Sequence, residues 1–190
     1  ARKQSEVALR ESEARFRAII EASPIPYALN DEHFNITYLN PAFVRTFGYT
    51  LQDIPTIADW WPKAYPDPAY QQQIITDWMA HMAKAEREKQ TFEPIEANIR
   101  CKDGETRTAL VAAEPLNGSF HELHVVSFFD ITSIKKAEAS QRLAATVFSH
   151  AREGILITGA DGTILDVNGM FSEIMGYSRD DVIGKSAQMF

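Results

Sequence analysis

Residues 36–53 of the chain recur 128 positions later. Without a gap, Ile36 falls on Ile164, Asn40 on Asn168, Phe43 on Phe171, Gly48 on Gly176, Tyr49 on Tyr177 and Asp53 on Asp181. The matched positions are those that start and stop secondary structure. Asn40 and Asn168 each have the form of an N-cap before a short helix, and Pro41 adds the residue whose missing N–H costs nothing at the first helical position. Gly48 and Gly176 suit the left-handed residue that ends such a helix. Thr50 to Asp53 and Ser178 to Asp181 both read as capping boxes. Upstream, Ile19-Ile20 fall on Val147-Phe148 and Ala28-Leu29 on Leu156-Ile157. One structural unit used twice is the economical reading. Phe190 falls on Pro62, so the second copy is expected to stop before the long helix and the last three strands of the first.

The elements of the first copy follow from periodicity. Residues 1–22, with Val7, Leu9, Phe16, Ile19 and Ile20 among polar residues and no Gly or Pro, predict an amphipathic helix. Two apolar runs, Ile25 to Leu29 and Ile36 to Leu39, flank Asn30-Asp31-Glu32-His33 and predict a hairpin. Asp67-Pro68 opens a helix whose stripe Tyr70, Ile74, Trp78, Met82 and Ala85 carries it to about Lys89. After Pro94 the period changes to two, with Ile95, Ala97, Ile99 and Cys101 alternating with polar residues up to the Asp103-Gly104 turn. Strands through Thr108 to Val111 and Leu123 to Phe129 follow. Thr132 or Ser133 then caps a helix to about His150, which predicts a helical linker rather than a flexible one. The division is 1–22 leading helix, 23–132 first domain, 133–150 linker helix and 151–190 incomplete second domain.

Composition narrows the function. Lys and Arg number 19 against 26 Asp and Glu, and the net charge of -7 repels phosphate backbones and anionic headgroups alike. The expectation is no nucleic acid partner and no direct membrane contact in this stretch. The lone Cys101 makes neither an internal disulfide nor a Cys-rich metal site, and no apolar run reaches the ~18 residues of a membrane span, which fits a cytoplasmic setting, with any membrane tether lying elsewhere in a longer protein. No phosphate loop, nucleophile elbow or H-E-x-x-H is present, so no catalytic residue and no metal ligand is assigned and no enzyme is expected within these residues.

The ordered set Phe16 to Pro24, Asn35 to Phe43, Phe47-Gly-Tyr-Thr50, Lys102-Asp-Gly104 and Asp130-Ile-Thr132 resembles the PAS family of sensor domains. Gly154 to Thr158, Ala160 to Thr163, Asp166-Val-Asn168 and Met175-Gly-Tyr-Ser178 repeat the resemblance in the second copy, which departs from the first in having Gly169 at the place of Pro41. It implies an α+β fold, a five-stranded antiparallel sheet in the order 2-1-5-4-3 with helices on one face, and a part in sensing and signal relay.

Within such a fold the ligand pocket lies between sheet and helices, which makes Trp60, Trp61, Tyr65 and Trp78 its candidate lining, with one of the paired tryptophans turned inward. The competing reading is that these rings fill the core. Arg100 clamps a carboxylate if its strand face turns under the helices, and is ordinary charged surface if that face meets solvent. Asn40 is assigned to capping rather than to a ligand. His81 sits in the helix where some PAS domains place a haem ligand, but no wider haem signature accompanies it, and the Asn-Cys-Arg context of flavin-binding, light-sensing relatives is missing. The cofactor is left unknown, with neither haem nor flavin favoured. His121-Glu122-Leu123-His124 looks like half a zinc motif, yet positions i and i+3 of a strand point to opposite faces.

Asp130 and Thr132 are the candidate relay residues. The helix after them spaces Ile134, Ala137, Gln141, Ala144 and Phe148 at 3, 4, 3, 4, a short heptad seam that suits a homodimer through the leading and linker helices, the alternative being a monomeric helix packed back on its own sheet. The expectation is therefore a sensory and dimerisation module that binds a small ligand or a partner and signals to a C-terminal output domain, a histidine kinase or a GGDEF-type cyclic-di-GMP enzyme of a bacterial protein. Gly154 to Thr158 and Val182-Ile-Gly184 lean towards the latter. The alternative is a structural spacer that contacts partner proteins with no small ligand.

Overall fold

The computed structural model describes residues 12, 14, 15, 17–116 and 123–190. The chain divides into two units, Ala1–Thr132 and Ser133–Phe190. Residues 17–22 are helical, as the leading segment predicts; Val7, Leu9 and Phe16 lie outside the described residues, as do His121 and Glu122.

The first unit is a five-stranded sheet in the order β2-β1-β5-β4-β3, with β1 Tyr27–Asp31, β2 Ile36–Leu39, β3 Ile95–Arg100, β4 Thr106–Pro115 and β5 Leu123–Asp130. Every pair is antiparallel. Helices α1 Pro41–Phe47, α2 Ile57–Ala64 and α3 Pro68–Glu88 connect β2 to β3. The expected fold class and strand order are both found. Alternation decides which face they cover: Ile95, Ala97 and Ile99 are buried while Glu96, Asn98 and Arg100 are exposed, and Ala109, Val111, Ala113, Val126 and Phe128 continue the buried face.

Small residues on the sheet make room for large rings on the helices and on β5. Ala97, Ala109 and Ala113 form a shallow floor, and Phe43, Phe47, Trp60 and Phe128 fill the space above it. All six pairs among those four rings have centroids between 5.0 and 6.2 Å, tilted or edge-on, the arrangement that aromatic quadrupoles favour.

The capping signals are met with two corrections. Thr50 to Asp53 opens no helix: it is a turn in which the Asp53 carboxylate accepts the Thr50 N–H at 2.8 Å, and the helix begins instead at a box that the sequence reading missed, Thr56 with Asp59. Neither Thr132 nor Ser133 caps the linker helix. The Asp130 carboxylate does so, accepting the Thr132 N–H at 2.9 Å, because an anion two residues upstream meets the free N–H groups directly.

The second unit comprises α4 Thr132–His150, whose first residue closes the first unit, then β6 Leu156–Thr158, β7 Ile164–Val167, α5 Gly169–Met175 and α6 Arg179–Val182. Here Ser178 and Asp181 do form a capping box. Ile164, Val167, Phe171 and Val182 make its core. It repeats the first unit closely: Asn168, like Asn40, caps the following helix, and Gly176, like Gly48, ends it with positive φ.

Candidate functional site

Between the sheet floor and helices α2 and α3 lies a cavity of about 50 Å³. Trp60, Trp61, Tyr65 and Trp78 all line it. Trp60 is buried, Trp61 half-buried, and both contribute, so the expected split of one ring in and one out is only partial. Tyr65 is buried at the end of α2, and desolvation pushes its phenol well above the ordinary tyrosine range. A cavity this size takes a few water molecules or a small chemical group, not a porphyrin.

Arg100 is not part of this site. The polar face of β3 meets solvent, so its guanidinium stays outside the helix-covered face and the carboxylate clamp does not form. His81 is likewise directed elsewhere, its Nδ1 within 2.6 Å of the Glu93 carbonyl oxygen and its ring beside Phe92. Cys101 is buried near α1, where its thiol donates to the Thr46 carbonyl at 3.6 Å and desolvation raises its pKa. Among the described residues no group of three or more His, Cys, Asp or Glu side chains is placed to hold a metal ion, and no helix is long and apolar enough to cross a membrane.

One lining residue went unnoticed in the sequence. Asn30 is 7% exposed, and among the described residues lining the cavity it alone is neither apolar nor aromatic. Its Nδ2 makes one long hydrogen bond, 3.4 Å to the Asp31 carbonyl. The signal was available: Asn30 shares the inward phase of Ala28 on β1, where alternation expects an apolar side chain.

Asn40 is excluded as a ligand contact by saturation. Its Oδ1 accepts the N–H groups of Tyr27 at 2.8 Å and Phe43 at 3.0 Å, and its Nδ2 donates to the carbonyls of Ile25 at 2.8 Å and Ile20 at 3.3 Å. Both donors and both lone pairs are used.

Asp130 and Thr132 sit where β5 gives way to α4, and β4 holds both. Arg107 donates from Nη1 to the Asp130 carboxylate at 2.9 Å. The other Asp130 oxygen accepts the Thr132 hydroxyl at 2.5 Å. Thr132 Oγ1 accepts the Thr108 N–H at 2.9 Å, and the Ile131 N–H donates to the Thr108 carbonyl at 2.8 Å. Burial draws the Asp130 pKa upward, but the Thr132 and Arg107 bonds outweigh it and hold the carboxyl below its ordinary value. The clamp therefore ties Thr132, the first residue of α4, to a central strand. Arg107, which the sequence reading passed over, is its third member, and its Nε is buried without a hydrogen-bond partner among the described residues.

Comparison with known proteins agrees with the architecture. Residues 14–78 and residues 152–190 each match a profile of the PAS domain family. The sensor histidine kinase TmoS of Ectopseudomonas mendocina is 28% identical over 137 residues, which is 71% of this chain and 13% of that protein. The PAS domain of an HTR-like protein from Haloarcula marismortui superposes with a TM-score of 0.49 at 21% identity, over 68% of this chain and 99% of that one. An RNA-binding Light-Oxygen-Voltage receptor reaches 0.50 at 16% identity, over 70% of this chain and 37% of that one, a likeness of fold alone. With both repeats matched by the family and the sheet in the order β2-β1-β5-β4-β3, the chain belongs to the PAS domain family and carries one PAS unit followed by the opening part of a second.

Proposed function

We propose that the first unit is a cytoplasmic sensory module that takes up a small molecule between its sheet and helices and relays occupancy through the Asp130 clamp into α4. The observation that carries this is the junction of site and exit: β4 and β5 supply Val111, Val126 and Phe128 to the cavity wall and Arg107, Thr108 and Asp130 to the clamp. A shift in either strand has a short covalent path to the first turn of the helix, so differential binding between two strand positions becomes a bias on the helix.

The output is an enzyme domain outside these 190 residues. The relative at hand is a sensor histidine kinase of which this chain spans 13%, which favours a kinase over a GGDEF-type enzyme. Catalysis is assigned to that output and not to this chain. Helix α4 has no buried residue and exposes Ile134 of the heptad seam, which supports pairing with a second copy through the linker and leading helices, while the exposed Leu143 and Val147 lie off that seam.

A spacer that binds only partner proteins is the second reading, favoured by the small volume of the cavity and the close aromatic cluster beside it. Native mass spectrometry of the purified chain separates the two. A non-covalent mass released by mild activation supports the sensor, and a chain that stays empty after incubation with a library of small metabolites supports the spacer.

A further inference from the structure

The turn joining β1 to β2 holds a phenylalanine where the backbone favours glycine. Phe34 has φ +62° and is 58% exposed. A bulky L residue is strained in that region because its Cβ crowds the following carbonyl oxygen, and an exposed ring gains little from burial in return. The internal repeat supplies a control. Phe34 falls on Gly162, which has φ +81° and where an added Cβ would meet no atom within 4 Å. Both turns have room for a side chain and both carry the conformation that suits glycine, yet the first takes phenylalanine. Its backbone is held in place on both sides: the Phe34 N–H donates to the Asp31 carbonyl at 3.1 Å, and the Phe34 carbonyl accepts from Ile57 at 2.9 Å.

The ring lines a second, outer cavity of about 230 Å³, which shares Asn30, Ile57, Trp78 and Val126 with the inner one. The outer cavity is thus the approach to the inner cavity, and its rim has a definite chemistry. The aromatic residues Phe34 and Trp78 line it together with the acidic Asp31 and Glu32 and with His124, and among the described residues no Lys or Arg lines either cavity. Asp31 is fixed by its own turn, with Oδ1 accepting the N–H groups of His33 and Asn35 at 3.0 and 2.9 Å and Oδ2 accepting the Asn35 amide at 2.9 Å. Between the two cavities stands Asn30, more than nine-tenths buried, whose Nδ2 makes one long hydrogen bond of 3.4 Å to the Asp31 carbonyl.

We infer that the outer cavity binds a small organic cation, an ammonium group carried on a flat apolar body, with the head between the Phe34 ring and the Asp31 and Glu32 carboxylates and the body directed past Asn30 towards the tryptophans. Aromatic rings attract a cation through the ring quadrupole, and the Asp31 and Glu32 carboxylates complement its charge, while the basic side chains near an anion are the imidazoles of His124 in the lining and of His33, 3.5 Å from Glu32. The inference rests on the reading of the first unit as a small-molecule sensor and names the class of molecule.

Isothermal titration of the 190-residue chain with three probes of similar shape tests it: phenethylammonium, phenethyl alcohol and phenylacetate. Phenethylammonium is expected to bind at least tenfold more tightly than phenylacetate. Phe34→Asn, which keeps a residue tolerant of positive φ and removes the ring, is expected to weaken phenethylammonium about fivefold with the tryptophan-monitored unfolding midpoint not lowered. Equal or tighter binding of phenylacetate, or an unchanged affinity in Phe34→Asn, overturns the inference and leaves the sensor reading standing. No binding of any probe at millimolar concentration overturns both.

Discussion

Asn40 and Asn168 make the same four hydrogen bonds, 128 residues apart. Each Oδ1 accepts the N–H of Tyr27 or Ile155, at or just before the first strand of its hairpin, and the N–H in the first turn of the following helix, and each Nδ2 donates to two carbonyls upstream. One buried side chain therefore joins helix, strand and preceding segment in both units. Asn40→Ala leaves two N–H groups and two carbonyls short of a partner, and the expected loss is on the order of 3 kcal/mol. Because Trp60, Trp61 and Trp78 all lie in the first unit, urea unfolding followed by tryptophan fluorescence reads that loss directly; a shift below about 1 kcal/mol would remove the joining role.

The Asp130 clamp makes the first unit sensitive to acid. Its carboxyl ionises below the ordinary value in the folded chain. A depressed carboxyl contributes stability that is complete above its ordinary pKa of about 3.9 and is lost as pH falls through the folded value. Stability is therefore expected to decline on acidification below about pH 4, and Asp130→Asn should flatten part of that decline while costing roughly 1 to 2 kcal/mol at neutral pH. Urea midpoints measured from pH 7 to pH 2 check both, and parallel curves for the two proteins would show that the clamp does not titrate.

Phe34 should be dispensable for folding. Phe34→Gly removes the positive-φ strain but adds chain entropy to the unfolded state, so stability is expected to stay level or rise by up to ~1 kcal/mol. A fall of more than 1 kcal/mol in the tryptophan-monitored transition would mean that the ring supports the core after all.

Cys101 should be inert while the chain is folded. Its thiol is buried and desolvation raises its pKa, which removes the thiolate that reacts. Labelling by an aromatic disulfide reagent at pH 8 is expected to follow the rate of unfolding and to be immediate in denaturant; labelling within seconds in native buffer would contradict the burial.

The repeat and the positions of helices and strands were legible in the sequence because each rests on a local signal, a cap, an alternation or a helical stripe, whereas the strand order and the tryptophan lining came with the resemblance to the PAS family. The misread features depend on how distant strands meet. Thr132 looks like a cap by type, but β4 brings Arg107 and the Thr108 N–H to the end of β5 and so makes Asp130 the capping group and Thr132 a bridge. Arg100 alternates as a strand residue should, and only the side taken by the helices decides that it faces solvent. Phe34 carries no local mark of positive φ; its alignment with Gly162 was the available hint. Asn30 broke the apolar inward phase of β1 and was hidden by being read as part of the turn.

The central claim is that occupancy of the cavities reaches α4 through the clamp. Hydrogen exchange at the Thr108 and Thr132 amides, with and without saturating phenethylammonium, tests it most directly. The account predicts a change in protection at both amides in the natural chain and none in Asp130→Ala, which retains binding. Binding that leaves both amides unchanged in the natural chain would contradict it.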